Sequence, residues 1–172
     1  SDPSYVSDVP KRVDAFIKTV ADDPLFGKGS SEWGDWLLQL LVKQLGADIA
    51  LLYRYNEATR EWSFFAATGM PPGFGKNPLP RAWQSLPTII AQGGHDLFSE
   101  DISKDRLFIG QMIRGTATRT FAGTTLQAQN RCLGSLSIGF NATNALTEED
   151  RAFFFSLSKS LSPFLIQPEN ES

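Results

Sequence analysis

The 172-residue chain has almost none of two chemically versatile residues: one cysteine, Cys132, and one histidine, His95. A lone cysteine cannot close an internal disulfide, and such sparing use suits a reducing compartment. A metal centre of nitrogen and sulfur ligands draws on several of them together. None cluster around His95, and Glu100, Asp101 and Asp105 lack the spacing of a calcium loop. No metal is therefore expected. An excess of basic residues is also missing: 16 Lys and Arg stand against 19 Asp and Glu, which excludes the electropositive footprint of a nucleic-acid binder. No apolar run approaches the ~20 residues that span a bilayer, so no membrane partner is expected. The opening stretch SDPSYVSDVPKR does not read as a secretory signal. Together these features give a cytoplasmic expectation. The first residue is Ser rather than Met, as in a piece of something longer. With no Ser/His/Asp arrangement and no glycine-rich phosphate loop, no enzyme is expected.

What is present suits an ordinary globular domain. Hydrophobic residues make up 41% and charged residues 20%, so the chain is not disordered, and its length suits one domain, 1–172, with a sizeable core. Val13, Phe16, Ile17 and Val20 recur at helical spacing, giving an N-terminal helix within 5–23, for which Ser7-Asp8-Val9-Pro10 offers a polar cap and a proline suited to a first turn. Trp33, Trp36, Leu37, Leu40, Leu41 and Leu45 make a second stripe, which Gly46 stops. Residues 49–55 and 61–68 read as two strands joined by a turn at 56–60. Residues 69–80 form a loop rich in glycine and proline, and 81–92 a helix that Pro87 interrupts. A short strand from Leu97 to about Ile102 follows, then a helix over 104–114 with Leu107, Phe108 and Met112 on one side. Two more strands span 119–140. Thr147-Glu148-Glu149-Asp150 is a strong helix start. Phe153, Phe154, Leu157, Leu161, Phe164 and Leu165 form that helix's apolar side, and Pro163 should kink or end it. The tail, 166–172, should fray. Helices at both ends around an antiparallel sheet make an α+β arrangement.

Several short motifs then fall into a familiar order. Leu45-Gly46-Ala47-Asp48 leads into a strand. Asp101-Ile102, Asp105 and Phe108 follow. Arg119-Thr120-Phe121-Ala122-Gly123 precedes Leu133-Gly134-Ser135-Leu136-Ser137-Ile138, and Leu-Thr-Glu-Glu-Asp opens the last helix. Over roughly residues 30–165 the chain resembles a GAF domain. The resemblance implies a profilin- or PAS-like sheet of about five or six antiparallel strands. Terminal helices would pack on one face, and a loop-and-helix cover would close a small-molecule pocket on the other. It also implies a sensory module of a larger bacterial signalling protein, with an output domain in the same chain and homodimerisation through the terminal helices.

Strand periodicity gives two faces independently. In 132–140, Cys132, Gly134, Leu136, Ile138 and Phe140 share one face; Leu133, Ser135, Ser137 and Gly139 share the other. The large residues should meet the terminal helices. The small ones form either a pocket floor or a face turned to water. The candidate ligand set is Trp83, Phe98, Asp101, Phe108, Met112, Arg119, Phe121, Gly123, Ser135 and Ser137. Arg119 would pair with an acidic ligand or make a salt bridge, for instance with Asp101.

Cys132 is in register with Leu136 and Ile138, which favours packing over reactivity. Bilin-carrying GAF relatives attach the chromophore in the covering segment, where this chain has no cysteine, so no covalent bilin is expected. A catalytic GAF-type family reduces free methionine sulfoxide with two or more cysteines, and a disulfide cycle needs a partner thiol. Of the cyclic-nucleotide pattern only Asn141 and Asp150 survive. The expected function is therefore sensing of an unidentified small molecule. The alternative is a degenerate domain that serves only for dimerisation, its cover packed solid.

Overall fold

The computed structural model describes residues 3–24, 31–70, 81–93 and 96–165. His95, most of the 69–80 loop and the 166–172 tail lie outside them. Five helices and five strands follow in the order α1 (Pro3–Ala21), α2 (Ser31–Leu45), β1 (Ile49–Asn56), β2 (Glu61–Thr68), α3 (Arg81–Gln84), α4 (Leu86–Gln92), β3 (Asp96–Ser99), β4 (Thr120–Ala128), β5 (Arg131–Phe140) and α5 (Glu148–Leu161). The sheet order is β2-β1-β5-β4-β3, and every pairing is antiparallel. The α+β architecture with a five-stranded antiparallel sheet is as the sequence implies.

Local chemistry sets most of the boundaries. Gly46 ends α2 at φ +71°, a left-handed conformation that glycine adopts freely, and its N–H donates to the Val42 carbonyl at 2.8 Å. In the β1–β2 turn, Asn56 Oδ1 accepts from the N–H groups of Ala58 and Thr59. Thr147 caps α5, its hydroxyl accepting from Asp150 N at 3.1 Å, with three acids in the first turn. Past Leu161 the helix tightens into a 3₁₀ turn that contains Pro163.

Three expectations need correction. α1 begins at Pro3, two residues before the expected start, and ends at Ala21, so Pro10 lies inside it rather than in its first turn. The break in 81–92 falls at Ser85, and Pro87 sits in the first turn of α4, where its missing N–H costs nothing. The helix expected over 104–114 is instead two 3₁₀ turns, Arg106–Phe108 and Met112–Gly115, with Asp105 capping the first. The change of pitch changes which side chains face inward. Ile113 is buried, whereas Leu107 and Met112 are exposed.

The two faces of the sheet carry separate cores. On one, α1, α2 and α5 pack over Ala50, Leu52, Ala66, Ala122, Leu126, Leu136, Ile138 and Phe140. α1 and α5 also touch each other: Arg12 pairs with Glu149 and Asp150 and lies over the Phe153 ring, and Phe16 meets Phe153 edge-on. On the other face, Ile49, Leu51, Tyr53, Ala67 and Phe121 meet α3, α4 and the 3₁₀ turns. From 134 to 140 the alternation sorts residues as expected, with the large β5 side chains toward the terminal helices; Leu133, expected beside the serines, packs instead against the helix-side core, because the β4–β5 register shifts there.

Close backbone approaches make some glycines obligatory. A methyl on Gly134 would overlap the Tyr53 carbonyl across the β1–β5 pairing. A methyl on Gly46 would meet nothing within 4 Å and suffer only from its φ. Gly134→Ala should therefore cost more than Gly46→Ala: about 3 kcal/mol from overpacking against backbone, against about 1–2 kcal/mol for a left-handed alanine. Urea unfolding of both variants checks the order. Thr147→Ala should cost about 1 kcal/mol by loss of the α5 cap, and Thr147→Ser should recover most of it.

Candidate functional site

β5 runs between β1 and β4, so its cover-facing residues are flanked on both sides. Ser137 sits between Leu51 and Gly123, Ser135 between Tyr53 and Thr125, and Gly139 between Ile49 and Phe121. Above them lie Trp83, Leu86, Ile89 and Ile90 from α3 and α4, with Ile102, Phe108 and Ile113 at the side. Phe108 and Phe121 meet edge-on with centroids 5.7 Å apart. The face is not turned to water: Ser135 and Ser137 are each 1% exposed.

Two further contacts hold the cover to the sheet. The Tyr53 hydroxyl donates to the Trp83 carbonyl at 3.0 Å in a buried hydrogen bond, and burial pushes the phenol's pKa well above its usual value. Ile90 rests on Gly123 so closely that a methyl there would lie 2.7 Å from Ile90 Cδ1. Gly139 is similarly occupied, with Ile49 Cγ2 at 2.9 Å and Thr118 Cγ2 at 3.0 Å from the place of a methyl. The glycines expected to leave room are instead filled by neighbours. The serines differ. Among the described residues neither Ser135 Oγ nor Ser137 Oγ has a hydrogen-bond partner.

Six of the ten candidate residues come together here: Trp83, Phe108, Phe121, Gly123, Ser135 and Ser137. Four stand apart. Phe98 is on the opposite face, because β3 alternates: Leu97 pairs with Gly123 and points to the cover, while Phe98 pairs with Ala122 and joins the helix-side core under Arg151. Met112 is 55% exposed, for the change of helical pitch noted above. Asp101 lies in an open surface groove with Phe98, Lys104, Asp105 and Arg106. Its carboxylate accepts from Ser103 Oγ at 2.6 Å and Ser103 N at 3.0 Å. Those bonds, with the charges of Lys104 and Arg119, hold it below the usual carboxylate range. Arg119 donates to the Thr116 and Thr118 carbonyls at 2.9 and 2.8 Å, clamping the chain just before β4.

Tyr53, Ile90 and Ile113 belong to the cluster and were not singled out from sequence. Tyr53 was within reach, since Ile49, Leu51 and Tyr53 share one strand parity. Cys132 is half-buried near the β4–β5 turn, its thiol 3.8 Å from the Gly134 carbonyl, and burial raises its pKa. Among the described residues no group of three or more His, Cys, Asp or Glu could hold a metal ion, and no helix is long and apolar enough to cross a membrane.

Neither a family model nor a curated protein matches the sequence. Solved structures do match the fold. The GAF domain of a phosphoenolpyruvate-protein phosphotransferase from Coxiella burnetii is 18% identical, with a TM-score of 0.69 over 91% of this chain and 92% of that one. The corresponding GAF domain from Acinetobacter is 15% identical, with a TM-score of 0.67 over 96% and 94%. Free methionine-R-sulfoxide reductase from Neisseria meningitidis, solved with its substrate, is 14% identical, with a TM-score of 0.68 over 100% and 96%. Likeness at such low identity concerns the fold, and by it the chain has the GAF fold.

Proposed function

We propose that this chain is a sensory or regulatory GAF-type domain of a larger signalling protein. In this reading a small molecule binds between the sheet and α3–α4, and terminal helices carry the response to an output domain. One observation carries the reading: the cover forms a buried apolar cluster separate from the helix-side core, over a floor with two unpartnered hydroxyls. A cover built this way can rearrange without unpacking α1, α2 and α5. A ligand that prefers one arrangement of the cover then shifts the population toward it. β5 supplies residues to both faces, and α5 packs over its neighbour β4 on the far side, so a displacement at Ser135 or Ser137 would reach the α1–α5 pair through β5 and β4. A homodimer formed by the terminal helices would give that pair a partner to act on.

Catalysis is disfavoured by the residue inventory. A reductase that cycles through an internal disulfide needs a second thiol, and these 172 residues hold one cysteine. A second reading, a packing or dimerisation module without ligand, draws on the seating of Ile90 against Gly123 and of Thr118 against Gly139. Part of the cover is indeed close-packed. Trp83 and Phe108 contribute to that packing, while Phe98 and Met112 do not.

A thermal-shift screen of nucleotides, cyclic nucleotides, amino acids, haem and bilins separates the two. A ligand at a hundred times its dissociation constant should add ~2.7 kcal/mol and raise the midpoint by roughly 5–10 °C. A flat response to every compound would leave the packing module as the better reading. Tyr53→Phe tests whether the cover moves independently. It strands the Trp83 carbonyl at a cost of about 1–3 kcal/mol, and should speed hydrogen exchange in 81–93 more than in α1 and α5. Equal acceleration everywhere would mean that the two layers open as one.

A further inference from the structure

The two hydroxyls beneath the cover set the chemistry of what it can hold. Ser135 and Ser137 are two positions apart on β5, so both point to the cover, about 7 Å apart along the strand. Each is 1% exposed, with no partner for its Oγ among the described residues. An unpaired buried hydroxyl costs stability, and alanine would pack nearly as well without that cost. Neighbouring polar groups do not relieve them. The Tyr53 hydroxyl is committed to Trp83, and Thr125 Oγ1 accepts from Gln127.

Among the described residues the cluster over this face holds no charged side chain. Asp101 and Arg119, the two charged residues that the sequence places nearest, are engaged with Ser103 and with the Thr116 and Thr118 carbonyls. An ionised group brought to this floor would lose its water and meet no counter-charge. The cluster over it is apolar and includes the aromatic rings of Trp83 and Phe121.

We propose that Ser135 and Ser137 form the hydrogen-bonding floor of the site, and that its ligand is an uncharged, ring-sized molecule with hydrogen-bonding atoms along one edge, such as a neutral cyclic amide. This rests on the reading of the cover as a ligand-binding layer. A hydroxyl both donates and accepts, so either side of an amide edge satisfies it. Ile90, seated on Gly123, is the side chain that gives way.

The test compares the full chain with Ser135→Ala and Ser137→Ala against probes matched except for charge: nicotinamide and nicotinate, uracil and orotate, benzamide and benzoate. Thermal midpoints and ligand-observed NMR are the readouts. Without ligand, each variant should melt about 2–4 °C higher, because an unpaired hydroxyl has been removed. At least one neutral probe should bind about tenfold or more tighter than its charged twin. Each alanine should weaken that binding by about three- to tenfold while the fold stays intact. Lower midpoints in both variants would make the hydroxyls structural and overturn the assignment. Preference for the charged twins would overturn the uncharged class while leaving a ligand-binding cover in place. Failure of every probe to bind the unsubstituted chain would also overturn this ligand class, and the wider screen then judges the sensory reading separately.

Discussion

The pairing of β5 between β1 and β4 is the constraint on which the rest of the molecule depends. A strand in the middle of a sheet has no free edge, so its residues can act only through its two faces. On β5 those faces are chemically opposite. Leu136, Ile138 and Phe140 drive the helix-side core, while Ser135, Ser137 and Gly139 lie under the cover. A register slip of one residue would exchange the two sets. Gly134, pressed against the Tyr53 carbonyl, admits no larger residue without disturbing that register.

The layers built on these faces differ in kind. The helix side has long helices, aromatic contacts and the Arg12 pairing with Glu149 and Asp150. The cover side has two helices of four and seven residues and two 3₁₀ turns, which have little stability apart from tertiary packing. Regions of this sort open at lower free energy than a core. The same asymmetry that makes the helix side a scaffold makes the cover the layer that rearranges more readily.

How far the sequence was legible follows from how local each signal is. The strands were readable from period-two alternation, and the α5 start from Thr147 and its acids, because both signals lie within a few residues. The GAF arrangement was readable from the order of short motifs. Failures came where a tertiary choice set the phase. In Lys104 to Arg114 the breaker is Gly110, at φ +79° between the two 3₁₀ turns, but a single glycine does not specify the pitch that buries Ile113 and exposes Met112. Phe98 is a different failure. Aromatic residues of the covering segment were grouped by position in the chain, although β3's own alternation separates Phe98 from Leu97. The proline in α1 misled because a proline signals a first turn only when the preceding residues are not already helical.

Small residues in a strand carry two opposite meanings that sequence alone does not separate: space for a guest, or close approach of a neighbour. Gly123 and Gly139 have the second meaning, since Ile90 and Thr118 occupy what they leave. Ser135 and Ser137 are not explained that way. Close packing asks for small volume, which alanine supplies without a polar atom. A hydroxyl buried at 1% exposure with no partner among the described residues is a cost that packing does not demand. The distinction therefore rests on polarity rather than size. The glycines show how tightly the cover is seated, and the serines show where its seating is chemically incomplete.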